Sequence, residues 1–60
     1  MRSEMFLLKD RKGVLYGKNN RIMPTDLSVT SVEYMFWCMG NAYATEPKAV
    51  NDREVVSVLV

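Results

Sequence analysis

The sequence predicts a small α+β domain: an antiparallel sheet of three strands, with a fourth left open, and one helix packed on one face. Three observations predict this class. An apolar run and a turn signal open the chain, a capped helical segment occupies its middle, and an alternating apolar segment closes it. The predicted order is β-β-(β)-α-β. Residues 1–60 form a single compact domain, because no linker, repeat or low-complexity segment divides them.

The first sixteen residues predict a β-hairpin. Residues 5–8 form a continuous apolar run that is typical of a buried strand, and residues 14–16 form the returning strand. Between them, Asp10 and Gly13 stand at the first and last positions, an arrangement that suits a type I turn or a short bulged hairpin loop.

The next segment predicts a second change of direction. Residues 17–21 contain glycine and two asparagines, which tolerate positive φ. Ile22 and Met23 are a candidate for the optional short strand. Pro24 prevents that strand from continuing in the middle of a sheet, so residues 25–29 are expected to be a connector.

The helix is predicted to begin at a capping box. The hydroxyl of Thr30 is placed to accept from the third helical N–H, and Glu33 at that position is placed to reach back. The helix ends either at Gly40, as a C′ residue, or near Thr45, and Pro47 sets the outer limit. A strand over residues 27–39 is the competing interpretation, and the capping residues favour the helix.

One row of apolar side chains is expected to face the sheet, since it has the i, i+3, i+4, i+7 spacing of a helix face. Its members are Val32, Met35, Phe36, Met39 and Tyr43. After a loop over residues 46–52, with one helical turn possible at 48–50, residues 53–60 predict the final strand. This strand is expected to pair beside the first one.

The residue types needed for catalysis are scarce. The chain has no histidine, and its single cysteine, Cys38, lies between Trp37 and Met39, where a packing role is expected. The carboxylates stand at turns, caps and strand ends. We therefore expect no catalytic residues, no metal site, no cofactor and no small-molecule substrate.

The helix carries more apolar surface than one sheet needs. Once the predicted core row is set aside, a second group of side chains points elsewhere, and aromatic residues of this kind are enriched at protein interfaces. This group is the candidate partner-binding site: Tyr34, Trp37, Cys38 and Asn41. It predicts a protein partner or a homodimer through the helix face. The alternative is that loops fold over Trp37 and bury it.

Charge is distributed unevenly along the chain. Six basic against two acidic residues give residues 1–22 a net charge of +4, whereas two basic against five acidic residues give residues 23–60 a net charge of −3. A nucleic-acid or acidic-partner site on the hairpin loops is therefore the alternative functional hypothesis. Its candidate residues are Lys9, Arg11, Lys12, Tyr16, Lys18 and Arg21.

These patterns together favour a small non-catalytic protein–protein interaction module, such as an inhibitor or an antitoxin-like regulator. In size and layout the chain resembles the small α+β inhibitors made by bacteriophages, with no motif in common. The initial apolar run is too short for a signal peptide or a membrane span, and one free thiol fits a reducing compartment. We therefore expect a cytoplasmic protein that does not bind membranes.

Overall fold

The computed structural model describes residues 3–50 and 52–60 and confirms the predicted α+β class. Three antiparallel strands form one sheet, and one α-helix lies between the second and third strands in the sequence. The bounds are β1 Glu4–Lys9, β2 Leu15–Tyr16, α1 Val32–Asn41 and β3 Glu54–Leu59, with a 3-10 turn at Lys18–Asn20. No helix among the described residues is long and apolar enough to cross a membrane.

β1 lies at the centre of the sheet, in the order β2-β1-β3. β3 pairs with β1 along its whole length, from Glu4 opposite Leu59 to Lys9 opposite Glu54. The expectation that the final strand pairs beside the first is therefore confirmed. The apolar run of β1 suits this place, because β1 is paired along both edges and its neighbouring residues Leu7 and Leu8 are both buried.

The predicted hairpin turn is present, and Asp10 organises it. One carboxylate oxygen of Asp10 accepts from the N–H groups of Lys12 and Val14, both at 2.9 Å. The Asp10 N–H donates to the Val14 carbonyl at 3.0 Å. Gly13 has a φ of +89°, which favours glycine at this position of the turn.

The optional third strand is reduced to a single bridge. Ile22 forms an isolated antiparallel bridge with β2, and the N–H of Met23 donates to the Leu15 carbonyl at 2.9 Å. The chain reverses just before this bridge through Asn19 and Asn20, which both have a φ of +58°. The predicted turn is confirmed, and the two asparagines rather than a glycine take the left-handed conformation.

The helix begins one residue later than the capping box predicts. The hydroxyl of Ser31 accepts from the Tyr34 N–H at 3.0 Å, so Ser31 is the N-cap. Thr30 is not the cap, because its hydroxyl lies 3.1 Å from that of Ser28 in the preceding turn. Glu33 then occupies the second helical position, which does not have the spacing of a capping box.

The end of the helix also differs from both predictions. Gly40 lies within α1, which ends at Asn41 and does not extend to Thr45. The chain leaves the helix at this point because Tyr43 exchanges two backbone hydrogen bonds with Phe6, at 2.8 and 2.9 Å. This bridge extends the sheet beside β1, where β2 has already ended.

The other two tentative elements are absent. Residues 27–31 and 48–50 contain neither a strand nor a helical turn, so the competing strand over residues 27–39 and the helical turn after the helix are both wrong.

The core lies between α1 and one face of the sheet. Leu7 is at its centre and has no exposed surface, and half-buried side chains from β1, β2 and β3 pack around it. The buried cluster consists of Leu7, Met23, Tyr34, Cys38 and Ala42. Leu8 is buried on the opposite face of the sheet, since neighbouring residues of a strand point to opposite sides.

Candidate functional site

The helix has an inner row of side chains that faces the sheet: Tyr34, Trp37, Cys38 and Asn41. This row is the group that the sequence offers as a partner-binding site. Tyr34 is 8% exposed and Cys38 is 0% exposed, while Trp37 and Asn41 are half-buried. The prediction that this group is surplus to the core is therefore wrong, because the group supplies much of the core.

The opposite face of the helix carries an outer row: Val32, Met35, Phe36 and Met39. These side chains are 57%, 37%, 61% and 57% exposed, respectively. The sequence predicts this row as the buried stripe, and the structure corrects that assignment. Tyr43, the fifth member of the predicted stripe, lies beyond the helix and is half-buried.

Side-chain size gives a physical reason for the reversal. Both rows have helical spacing, so the period does not decide which one is buried. The inner row includes the small Cys38, and the small Ala42 follows directly after α1; both are buried in the core, which lets this part of the helix lie close to the sheet. Phe36 and Met39 in that place would hold the helix farther away.

A close backbone contact fixes the inner face as well. A Cβ placed on Gly17 would collide with the carbonyl oxygen of Asn41 and would lie 3.1 Å from the Trp37 ring. Glycine is therefore required at position 17 for close approach, since its φ of −97° is available to any residue. The sequence offers Gly17 only as a turn residue.

The outer row continues into an apolar groove between the start of α1 and the end of β3. Val29 before the helix and Leu59 on β3 line this groove, and both are largely exposed. The groove has a volume of about 550 Å³, and its lining is completed by Thr30, Ser31, Val32, Tyr34, Met35 and Val60. The exposed apolar surface therefore joins the helix to the β3 side of the sheet. Exposed apolar surface that is continuous in this way is typical of binding sites.

The inner row contains the only thiol of the sequence, and this thiol is buried. Burial raises the pKa of the Cys38 thiol, and a hydrogen bond with Tyr34 offsets part of that effect. The pKa of Tyr34 is raised too, mainly by burial. A nucleophilic cysteine needs the opposite environment, one that lowers its pKa and exposes it. The predicted packing role of Cys38 is confirmed by its burial.

The aromatic residue of the basic loops is already engaged within the chain. The hydroxyl of Tyr16 donates to Asp10 at 2.9 Å, and the guanidinium of Arg53 lies 3.6 Å from the centre of the Tyr16 ring. Arg53 also donates to the Asn20 side chain at 2.8 Å. One face of Tyr16 is therefore covered, which reduces its availability for stacking on a base.

These contacts also affect the ionisation of both partners. The N–H of Val14 is the largest influence that lowers the pKa of Asp10, and the Tyr16 hydroxyl and the Lys12 N–H add to it. The hydrogen bond to Asp10 raises the pKa of Tyr16. The role of Arg53 is not visible in the sequence, where it appears only as the first residue of the final strand.

The basic residues of the hairpin lie next to acidic ones. Arg11 forms an exposed salt bridge with Asp52 at 3.1 Å. A shallow depression of mixed charge surrounds this pair and is lined by Lys9, Asp10, Arg11, Asp52, Arg53 and Glu54. Lys12, Lys18 and Arg21 are exposed elsewhere on the loops. The structure therefore does not assemble the predicted residues into one uniformly basic surface.

Comparison with known proteins leaves the outer row as the main guide to function. No protein-family model matches the chain, and no curated protein or solved structure matches it. Function is therefore inferred from the surface and the chemistry of this chain alone.

Proposed function

We propose that this protein is a small, non-catalytic protein–protein interaction module that binds its partner through the outer row of α1. One observation carries the proposal: Val32, Met35, Phe36 and Met39 lie exposed along one helix face, while the opposite face builds the core. Four neighbouring apolar side chains that stay exposed do not stabilise the fold. A partner that covers them removes their apolar surface from water, and this burial stabilises the complex.

The residue types of the outer row suit contact with another protein. Phenylalanine supplies a large apolar area, and methionine adapts to irregular surfaces because its side chain is unbranched and polarisable. Aromatic residues and methionine are enriched in the buried centres of interfaces. A partner with an apolar cleft fits this row, in the manner of a helix that binds in a groove.

The state of the reactive groups supports a non-catalytic role. The Cys38 thiol is buried and its pKa is raised, Asp10 holds the hairpin turn, and Asp52 pairs with Arg11. Within this class we propose an inhibitor or antitoxin-like regulator, which acts by occupying a surface of its target. A cytoplasmic location is part of the proposal and rests on the single, unpaired thiol.

Nucleic-acid binding through the hairpin loops is the alternative, and the geometry favours it less. Tyr16 is covered by Arg53, and Arg11 is paired with Asp52. Under the alternative, the wild type retards DNA or RNA at low salt, and Lys12→Glu/Arg21→Glu weakens that binding and reduces its salt dependence. Absence of retardation at low salt removes the alternative.

The proposal is tested by capturing the partner with matched variants. The full-length chain is immobilised, and the captured protein is quantified for the wild type, for Phe36→Lys/Met39→Lys, and for the control Ala44→Lys/Thr45→Lys. All four substituted positions are exposed, and both variants add the same charge. We expect the outer-row variant to lose the partner and the control to retain it, with unchanged circular dichroism for both. Equal capture by the two folded variants contradicts the proposal.

A further inference from the structure

The residue that follows β3 shows which backbone groups of the strand face β1. Val60 exchanges both backbone hydrogen bonds with Ser3, at 2.8 and 2.9 Å. In an antiparallel pair, hydrogen-bonded and non-hydrogen-bonded residues alternate. The N–H and C=O groups of Val56 and Val58 therefore point toward β1, and those of Val55, Ser57 and Leu59 point away from it.

The outward groups form an open edge. No backbone hydrogen bond within residues 3–50 and 52–60 reaches the far side of β3, which is an end strand of the sheet. Natural edge strands are usually protected by lysine, proline, a bulge or a short length. β3 has six residues without lysine or proline, and its one charged residue is Glu54 at the start.

We propose that this edge pairs with β3 of a second copy of the chain, in an antiparallel arrangement about a two-fold axis at Ser57. The product is one continuous six-stranded sheet with a helix from each copy on the same face. This surface is different from the outer row, so the inference goes beyond the proposed function.

The sequence of β3 is self-complementary in this register. With Ser57 opposite Ser57 of the second copy, Val55 lies opposite Leu59 and Val56 lies opposite Val58. Glu54 falls opposite Val60, so no two like charges face each other directly. Each copy contributes three outward N–H groups and three outward carbonyls, and the pairing satisfies all of them. Leu59, which is largely exposed in the single chain, gains an apolar neighbour.

Apolar surface also lies beside this edge. The apolar groove adjoins this edge through Leu59 and Val60, so pairing also covers part of it.

The register predicts a charge-complementation experiment on the full chain. Sedimentation equilibrium of the wild type over a micromolar to millimolar range is expected to show a mass that rises from 6.9 kDa toward twice that value. Ser57→Lys and Ser57→Glu each place like charges opposite each other at the axis and should weaken the dimer by about fivefold. An equimolar mixture of the two variants should restore it, because unlike charges then meet.

Amide hydrogen exchange of the wild type tests the same pairing without any substitution. The amides of Val55, Ser57 and Leu59 should become protected as the concentration rises. Those of Val56 and Val58 should be protected at every concentration, because they already bond to β1. A dimer in which the first three amides stay unprotected is not formed through this edge.

Three results overturn the inference. The first is a wild type that stays at 6.9 kDa at millimolar concentration, as expected if the edge instead receives a strand of another protein. The second is a mixture of the Ser57 variants that is no more dimeric than either alone. The third is a dimer that survives both Ser57 variants and is lost with Phe36→Lys/Met39→Lys, which places the contact on the outer row. A monomeric wild type leaves the proposed function of the outer row unaffected.

Discussion

Two aromatic residues on the same helix have opposite environments. Tyr34 belongs to the inner row and is 8% exposed, whereas Phe36, two positions later, belongs to the outer row and is 61% exposed. A rotation of about 200° separates them on a helix of 3.6 residues per turn. The more polar of the two is the buried one, so hydrophobicity alone does not decide which face packs against the sheet.

The difference between the rows shows what each contributes. Cys38 and Ala42 let the inner face approach the sheet, and Tyr34 fills the space beside them. The outer row repeats the same spacing, but its side chains are exposed. The inner row therefore stabilises the fold, and the outer row is available to bind a partner.

The largest expected effect comes from truncating the two aromatic residues. Tyr34→Ala should cost about 3 kcal/mol, because a buried ring is replaced by a cavity. That loss is comparable to the whole stability of a domain of this size, so the variant should be largely unfolded. Phe36→Ala should change the free energy of unfolding by less than about 0.5 kcal/mol. Urea denaturation followed by circular dichroism measures both, and equal costs would erase the distinction between the rows.

The rate of thiol labelling at Cys38 tests whether the inner row is buried in the native protein. Cys38 should react with a disulfide reagent on the order of 100-fold more slowly in the native protein than in urea, because the thiol is reached only when the structure opens. Its raised pKa further reduces the reactive thiolate. Native labelling as fast as that of the unfolded chain would mean that the inner row is solvent-exposed.

Substitutions of two glycines compare the packed side of the helix with its exposed side. Gly17 packs against the inner row, whereas Gly40 lies within the helix and is exposed. Gly17→Ala should cost about 1–3 kcal/mol, since its Cβ meets the Asn41 carbonyl and pushes the helix outward. Gly40→Ala meets no atom within 4 Å and should stabilise the protein by about 0.5–1 kcal/mol through helix propensity. Chemical denaturation of both variants tests the pair. A neutral Gly17→Ala would contradict the close approach of the inner face.

Acid should lower the free energy of unfolding through Asp10 in the hairpin turn, which lies outside both helix rows. Folding lowers the pKa of Asp10 below its ordinary value of 3.8, so Asp10 stabilises the fold above that value. Its contribution is lost as the pH falls through the lowered pKa. Asp10→Asn should therefore show a smaller loss of stability than the wild type between about pH 5 and pH 2. Identical pH profiles would show that the Asp10 hydrogen bonds do not contribute.

Local chemistry made some of this fold predictable. Asp10 and Gly13 define the hairpin turn by their own side-chain and backbone preferences, and the apolar run of β1 indicates a central strand. The pairing of β3 beside β1 was also predictable, because each of these apolar strands buries its side chains by pairing with the other. These features depend on residues that are close in sequence or strongly apolar.

The errors arise where several residues are equivalent locally. Thr30 and Ser31 are both good N-caps, and only the turn that starts at Ser28 places the Ser31 hydroxyl, rather than that of Thr30, at the Tyr34 N–H. The two helix rows have the same period, and tertiary packing against Gly17 and Leu7 selects the inner one. The stacking of Arg53 on Tyr16 joins residues 37 positions apart, and no local pattern indicates it.

The assignment of the two helix faces is tested most directly by a soluble paramagnetic probe in an NMR experiment on methionine methyl groups. Met39 of the outer row is 57% exposed, while Met23 in the core is 5% exposed. We predict that the probe strongly broadens the methyl signal of Met39 and leaves that of Met23 sharp. A protected Met39 methyl in the monomeric protein would contradict the account, because the outer row would then be part of the core.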